Sequence, residues 1–112
     1  MMLTPLNRLT YNAWRNTLSV MIKSFSCKDT QALFEGNNPR RFRAIQAVVE
    51  RKLTQLDAAA TLDFLRAPPG NRLEALRGDR KGQWSIRVND QWRICFKFMN
   101  GDVFDVEIVD YH

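Results

Sequence analysis

At 112 residues the chain is one domain with room for one modest core. A hydrophobic content of 45% excludes a disordered tail, and no run approaches the roughly 18 apolar residues that a membrane span needs. The balance of 17 basic to 12 acidic residues gives +5 and a pI near 9.7, which favours nucleic acid, an anionic membrane or an acidic protein without choosing among them.

Residues 1–20 differ from the rest, because they contain no Asp or Glu. They lack the apolar stretch of a secretory signal and only weakly mimic an organellar transit peptide. The simpler expectation is that Met21 is the true start; if the segment is real, residues 11–20 suit one amphipathic helix. From Met21-Ile22-Lys23-Ser24-Phe25 the pattern alternates and predicts a first strand. Asp29 is a candidate cap for a short helix carrying Ala32, Leu33 and Phe34, ended by Gly36-Asn37. Asn38-Pro39 opens a longer helix. Phe42, Ile45, Val48, Val49, Leu53 and Leu56 form its apolar stripe, and Arg40, Arg41, Arg43, Glu50 and Arg51 its solvated face. A second short helix carries Leu62, Phe64 and Leu65, and Pro68-Pro69-Gly70 breaks the pattern.

After Gly70 the period changes to two, predicting strands at 72–76, 83–88, 92–98 and 103–110. Their joins are short, and Asn100-Gly101 is a strong hairpin signal because both residues tolerate positive φ. Helices followed by a meander make an α+β domain, with N-terminal helices packed on one face of an antiparallel sheet of about four to five strands. Alternation places Trp84, Ile86, Val88, Trp92, Ile94, Phe96 and Phe98 on the helix side, continued by Phe104, Val106 and Ile108, with Leu73 and Ala75 on the first sheet strand.

The opposite face collects Arg72, Glu74, Ser85, Arg87, Arg93, Lys97, Asp105, Glu107 and Tyr111, with Arg77 just past the first of these strands. Asp110 and His112 fall on the other face by strict alternation, although a twisted terminus leaves the direction of the imidazole open. His112 is the only histidine, and Cys27 and Cys95 stand far apart without a CxxC, so no His-rich or zinc cluster is expected and both cysteines read as buried free thiols in a reducing cytoplasm.

Such a face suits RNA cleavage without metal. The reaction needs a base for the 2′-hydroxyl, an acid for the leaving 5′-oxygen and positive donors for the charge that develops on phosphate. Arginine matches phosphate oxygens with a planar fork. His112 is a candidate acid or base, Glu74 a candidate base, and Tyr111 a candidate to stack on a nucleobase or position a phosphate oxygen. Each has a duller reading: outward arginines and lysines are commonly a solvated face, and a lone terminal histidine is commonly inert.

Three ordered motifs carry a resemblance. They are Pro68-Pro69-Gly70-Asn71-Arg72-Leu73-Glu74-Ala75-Leu76 with Gly78-Asp79-Arg80, then Ser85-Ile86-Arg87-Val88-Asn89-Asp90-Gln91-Trp92-Arg93-Ile94, and the ending Glu107-Ile108-Val109-Asp110-Tyr111-His112. Over residues 21–112 the chain resembles the HigB toxins of bacterial toxin–antitoxin pairs, a branch of the RelE superfamily. The resemblance implies a microbial-RNase-like fold, no cofactor, and a cytoplasmic mRNA endonuclease that works in the A site of the 30S subunit and stops translation. It also implies a helix-turn-helix HigA-like antitoxin, with operator DNA bound only through that partner and no membrane association. Carried over by position, Asp110, Tyr111 and His112 match the family's active-site ending, Arg93 a phosphate-contacting arginine, and Arg77 a Lys/Arg position. Arg72, Arg87 and Lys97 join Arg77 as the expected RNA-binding set. Glu74 departs from members with histidine there. The rival readings are a ParE-like toxin that inhibits gyrase, whose branch generally lacks the Asp-Tyr-His ending, and a plain RNA- or DNA-binding module.

Overall fold

The computed structural model describes residues 21–111. The expectations for residues 1–20 and for His112 lie outside that range. No helix among the described residues is long and apolar enough to cross a membrane.

Helix α1 is Lys28–Phe34. Its N-cap is Cys27, which makes no side-chain capping bond, and Asp29 sits in the first turn instead of capping it. Pro39 precedes a 3-10 turn, Arg40–Ile45, that runs directly into α2, Gln46–Asp57. Proline there has no N–H to leave unpaired and sets φ for a helical start. The apolar stripe falls where its period put it: Phe42, Ile45, Val49, Leu53 and Leu56 are buried, while Arg40, Arg41, Arg43, Glu50 and Arg51 are exposed. The second short helix is a 3-10 turn, Asp63–Arg66, which buries Leu65 and leaves Phe64 half exposed.

The sheet has four antiparallel strands in sequential order: β1 Glu74–Ala75, β2 Trp84–Arg87, β3 Trp92–Met99 and β4 Asp102–Asp110. β1 is shorter than its alternation suggested, because Pro69–Asn71 forms a 3-10 turn and Arg72 takes a left-handed backbone at φ 45°. Ala75 is exposed rather than buried. Asn100 and Gly101, at φ 52° and 83°, make the tight β3–β4 turn as expected. The first predicted strand pairs in parallel with β4 through Ile22–Val103 and Phe25–Val106, so residues 21–26 extend the sheet beyond its named strands. Asp57, at the end of α2, fixes this segment by accepting from the Ile22 N–H at 3.0 Å.

One alternation fails within β4. Cys95 lies opposite Glu107 and Lys97 opposite Phe104, so β4 takes three steps where β3 takes two. The extra residue is accommodated as a bulge around Asp105, whose φ is 54°. On the hairpin side of it the side chains change face, while Val106 and Ile108 keep theirs. Val103 enters the core in place of Phe104, which turns towards the Lys97 side and is only partly buried.

The core lies between the helices and this sheet face: Phe42, Leu53, Leu56, Ile86, Ile94, Phe96, Val106 and Ile108 are buried, with Trp84 and Trp92 packed against them. Trp92 meets Phe42 edge to face at 5.5 Å. At about 1.5–3 kcal/mol for each large apolar side chain buried, this layer fixes which sheet face stays open.

Candidate active site

Arg93 is the centre of the open face. It stands on β3 with its side chain away from the helices, yet it is only 8% exposed. A buried guanidinium is costly where its donors lack partners. Here Nε donates to Ser85 Oγ at 2.7 Å, and Nη2 donates to the Arg72 carbonyl at 2.8 Å. Nη2 also lies 3.5 Å from Glu74 Oε1, and the guanidinium carbon lies 5.6 Å from the centroid of the Tyr111 ring. Nη1 has no hydrogen-bond partner among the described residues.

Strand register explains the convergence. Glu74 pairs with Ser85, Ser85 with Cys95, Arg87 with Arg93, and Arg93 with Val109, so these side chains share one face. Tyr111, two residues after Val109, returns to it and is 40% exposed. The carbonyl of Arg72 reaches Arg93 because of the left-handed turn, and that turn is fastened by Asn71. Fully buried, Asn71 donates to the carbonyls of Leu65 (3.0 Å) and Ala67 (3.2 Å) and to Gln55 Oε1 (3.2 Å), and accepts from Lys52.

The structure therefore groups Arg93, Glu74, Tyr111 and the backbone of Arg72. It does not bring the whole expected set together. Asp110 lies opposite Trp92, on the other side of the strand from Arg93, and accepts from Gln91 Nε2 at 3.2 Å. Arg87 is held by Asp90 in the β2–β3 turn. Lys97 is four residues along β3 from Arg93, about 13 Å at strand rise, and pairs with Asp105 at 3.4 Å. Arg72 and Arg77 are exposed, and their guanidinium groups have no ion-pair partner among the described residues.

Sequence reasoning gave Ser85, Asn71 and Arg80 no role. Ser85 carried the signal of sharing a face with Arg93. Arg80 carried none, because it sits in the loop after β1 and reaches over the sheet to Glu107 at 3.3 Å and to Gln83 at 3.1 Å. Beneath that bridge is Cys95, fully buried on the polar side of β3 instead of in an apolar strand face, while Cys27 is only half buried. Burial pushes the Cys95 thiol above its ordinary range, Glu107 adds to the rise, and Arg80 and Arg93 oppose it. Lys52 is shifted the other way, below the usual lysine value, first by burial and then by the charges of Arg51 and Arg87.

Comparison with known proteins bears on what this face belongs to. Residues 23–112 match the family described as the RelE-like toxin of the type II toxin–antitoxin system HigB. The chain is 38% identical to the Endoribonuclease HigB of Proteus vulgaris over 93 residues, covering 82% of this chain and all of that protein. It is 42% identical to Toxin HigB-1 of Vibrio cholerae over 85 residues, covering 72% and 87%. Among solved structures it is similar to the YoeB–YefM complex of Staphylococcus aureus, with a TM-score of 0.53 at 17% identity over 83% of this chain and 97% of that one. The YoeB dimer of the same organism gives 0.50 at 16% identity, over 84% and 98%. At these identities the structural likeness is one of fold: helices on a four-stranded antiparallel sheet, as in RelE-type toxins. The fold and the sequence together define a toxin of a type II toxin–antitoxin system, and hence a protein with an antitoxin partner. Within that class the chain belongs to the HigB-like toxin family.

Proposed function

We propose that this toxin is an endoribonuclease that cuts mRNA in the ribosomal A site of the cytoplasm and so stops translation. The observation that carries the reading is the buried Arg93 guanidinium, held beside a carboxylate and an aromatic ring on the open face of the sheet. In the proposed reaction Glu74 takes the proton of the 2′-hydroxyl. The 2′-oxygen then attacks phosphorus, and the 5′-oxygen leaves with a proton from His112, the residue after Tyr111. The products are a 2′,3′-cyclic phosphate and a 5′-hydroxyl. Arg93 meets the charge that develops on the phosphate oxygens, where preorganised donors contribute most. Tyr111 stacks on a base or positions a phosphate oxygen. Arg72, Arg77, Arg87 and Lys97 contact neighbouring phosphates along the same face.

Glu74 is exposed and already paired with Arg93, so the chain alone does not hold it against an incoming 2′-hydroxyl. The substrate's 2′-oxygen must therefore be placed in line with the scissile bond by something else, and the A site supplies that geometry. The expected antitoxin is a HigA-like helix-turn-helix protein.

Expression in cells tests the function. Growth arrest with stalled translation and cut mRNA supports it; arrest with DNA damage instead would favour a gyrase inhibitor, and neither would leave a binding module. Purified toxin is expected to cut mRNA on programmed ribosomes and to be slow on the same RNA alone. Rapid turnover without ribosomes would overturn the ribosome-dependent part.

A further inference from the structure

Charge alone does not make an arginine effective against a transition state; the fork must also point one way before the substrate arrives. The guanidinium of Arg93 is a planar group on a flexible stem. Two short hydrogen bonds on different nitrogens, to Ser85 Oγ at 2.7 Å and to the Arg72 carbonyl at 2.8 Å, fix that plane. Ser85 is fully buried, so water does not compete for its hydroxyl. It stands on β2 diagonally across the ladder from Arg93, facing Cys95 in register, and the sheet holds it rigidly. The carbonyl of Arg72 is no less fixed, because Asn71 fastens its turn to α2. Satisfying Nε and Nη2 in this way leaves Nη1 as the edge of the fork open to a ligand.

We propose that Ser85 is a positioning residue for the reaction: its buried hydroxyl, together with the Arg72 carbonyl, locks the Arg93 guanidinium in the orientation that meets the phosphate. This rests on the reading of Arg93 as the phosphate contact. Ser85 acts through Arg93 and touches no substrate.

The test is single-turnover cleavage of mRNA on programmed ribosomes, at limiting and saturating toxin, with thermal unfolding of every variant. Ser85→Ala is expected to lower the maximal rate about tenfold while half-saturation stays within about twofold. Ser85→Thr, which keeps the hydroxyl, is expected to restore most of the rate. In an Arg93→Lys background, Ser85→Ala is expected to have little further effect, since lysine has no Nε–H for the hydroxyl to hold. Proton exchange at the Arg93 Nε–H, read by NMR, supplies an activity-independent measure: slow in the native protein and in Ser85→Thr, fast in Ser85→Ala. A wild-type rate in Ser85→Ala, or unchanged Nε–H exchange, overturns the proposal. So does a loss that Ser85→Thr fails to rescue although it unfolds like the native protein. Full activity in Arg93→Ala would instead sink the proposed function itself, which separates the two failures.

Discussion

Glu74 holds two positions in the proposed chemistry, since it neutralises Arg93 and is the candidate proton acceptor. Glu74→Gln separates them, because the amide keeps the shape and an acceptor oxygen but is not basic at neutral pH. Cleavage on the ribosome is expected to fall about 10²-fold or more while folding is little changed. A native rate in this variant would move the base to another residue. His112→Ala and Arg93→Ala are each expected to abolish growth arrest and leave a folded protein; full toxicity in both would defeat the site assignment. The shared face of Arg93, Glu74 and Tyr111 was legible in the sequence because alternation needs only residue order. The part Arg72 plays was not. Its backbone carbonyl, not its guanidinium, reaches Arg93, and a left-handed arginine leaves no mark in composition. Asp105 is a parallel case, since nothing in its residue type announces a bulge there.

At the scale of elements, the turn between α2 and β1 is what sets the first strand against Arg93. Asn71 links that turn to Gln55 and Lys52 on α2 and to the carbonyls of Leu65 and Ala67. Asn71→Ala removes the partner of the buried Leu65 carbonyl and of half-buried groups on Gln55 and Lys52, and the expected loss is about 1–3 kcal/mol of stability, measured by urea unfolding. Cleavage should fall as well, because Arg72 and Glu74 are then held less firmly. A variant as stable as the native chain would show that this buried network is dispensable. The order of elements, the helix stripe and the β3–β4 turn were readable from periodicity and from Asn100-Gly101. Strand lengths and the switch of Phe104 out of the core were not, because one inserted residue around Asp105 inverts the facing of Val103 and Phe104 relative to Val106 and Ile108. The partner of residues 21–26 was also hidden: a parallel pairing with the end of the chain has no local signature.

For the molecule as a whole, the buried thiol of Cys95 links folding to alkaline pH. Its folded pKa is raised, so the native state keeps a proton that the unfolded chain has lost. The stabilisation is complete below the ordinary thiol value of 9.0 and declines as pH rises through the raised one. Cys95→Ala is expected to show a shallower loss of stability as pH rises above 9.0, read from urea unfolding at each pH. Lys52 contributes the opposite slope in both proteins, so the difference isolates the thiol. A native slope in Cys95→Ala would show that this proton is not thermodynamically coupled to folding. The pairing of residues 21–26 with β4 carries a further consequence for biosynthesis. Ser24 bonds to Asp105 across 81 positions of sequence, and the ring over Arg93 comes from Tyr111. During translation residues 21–26 must wait for β4, the last strand of this sheet in chain order, before their sheet partner exists. A nascent copy therefore cannot assemble this surface while β4 is still inside the exit tunnel.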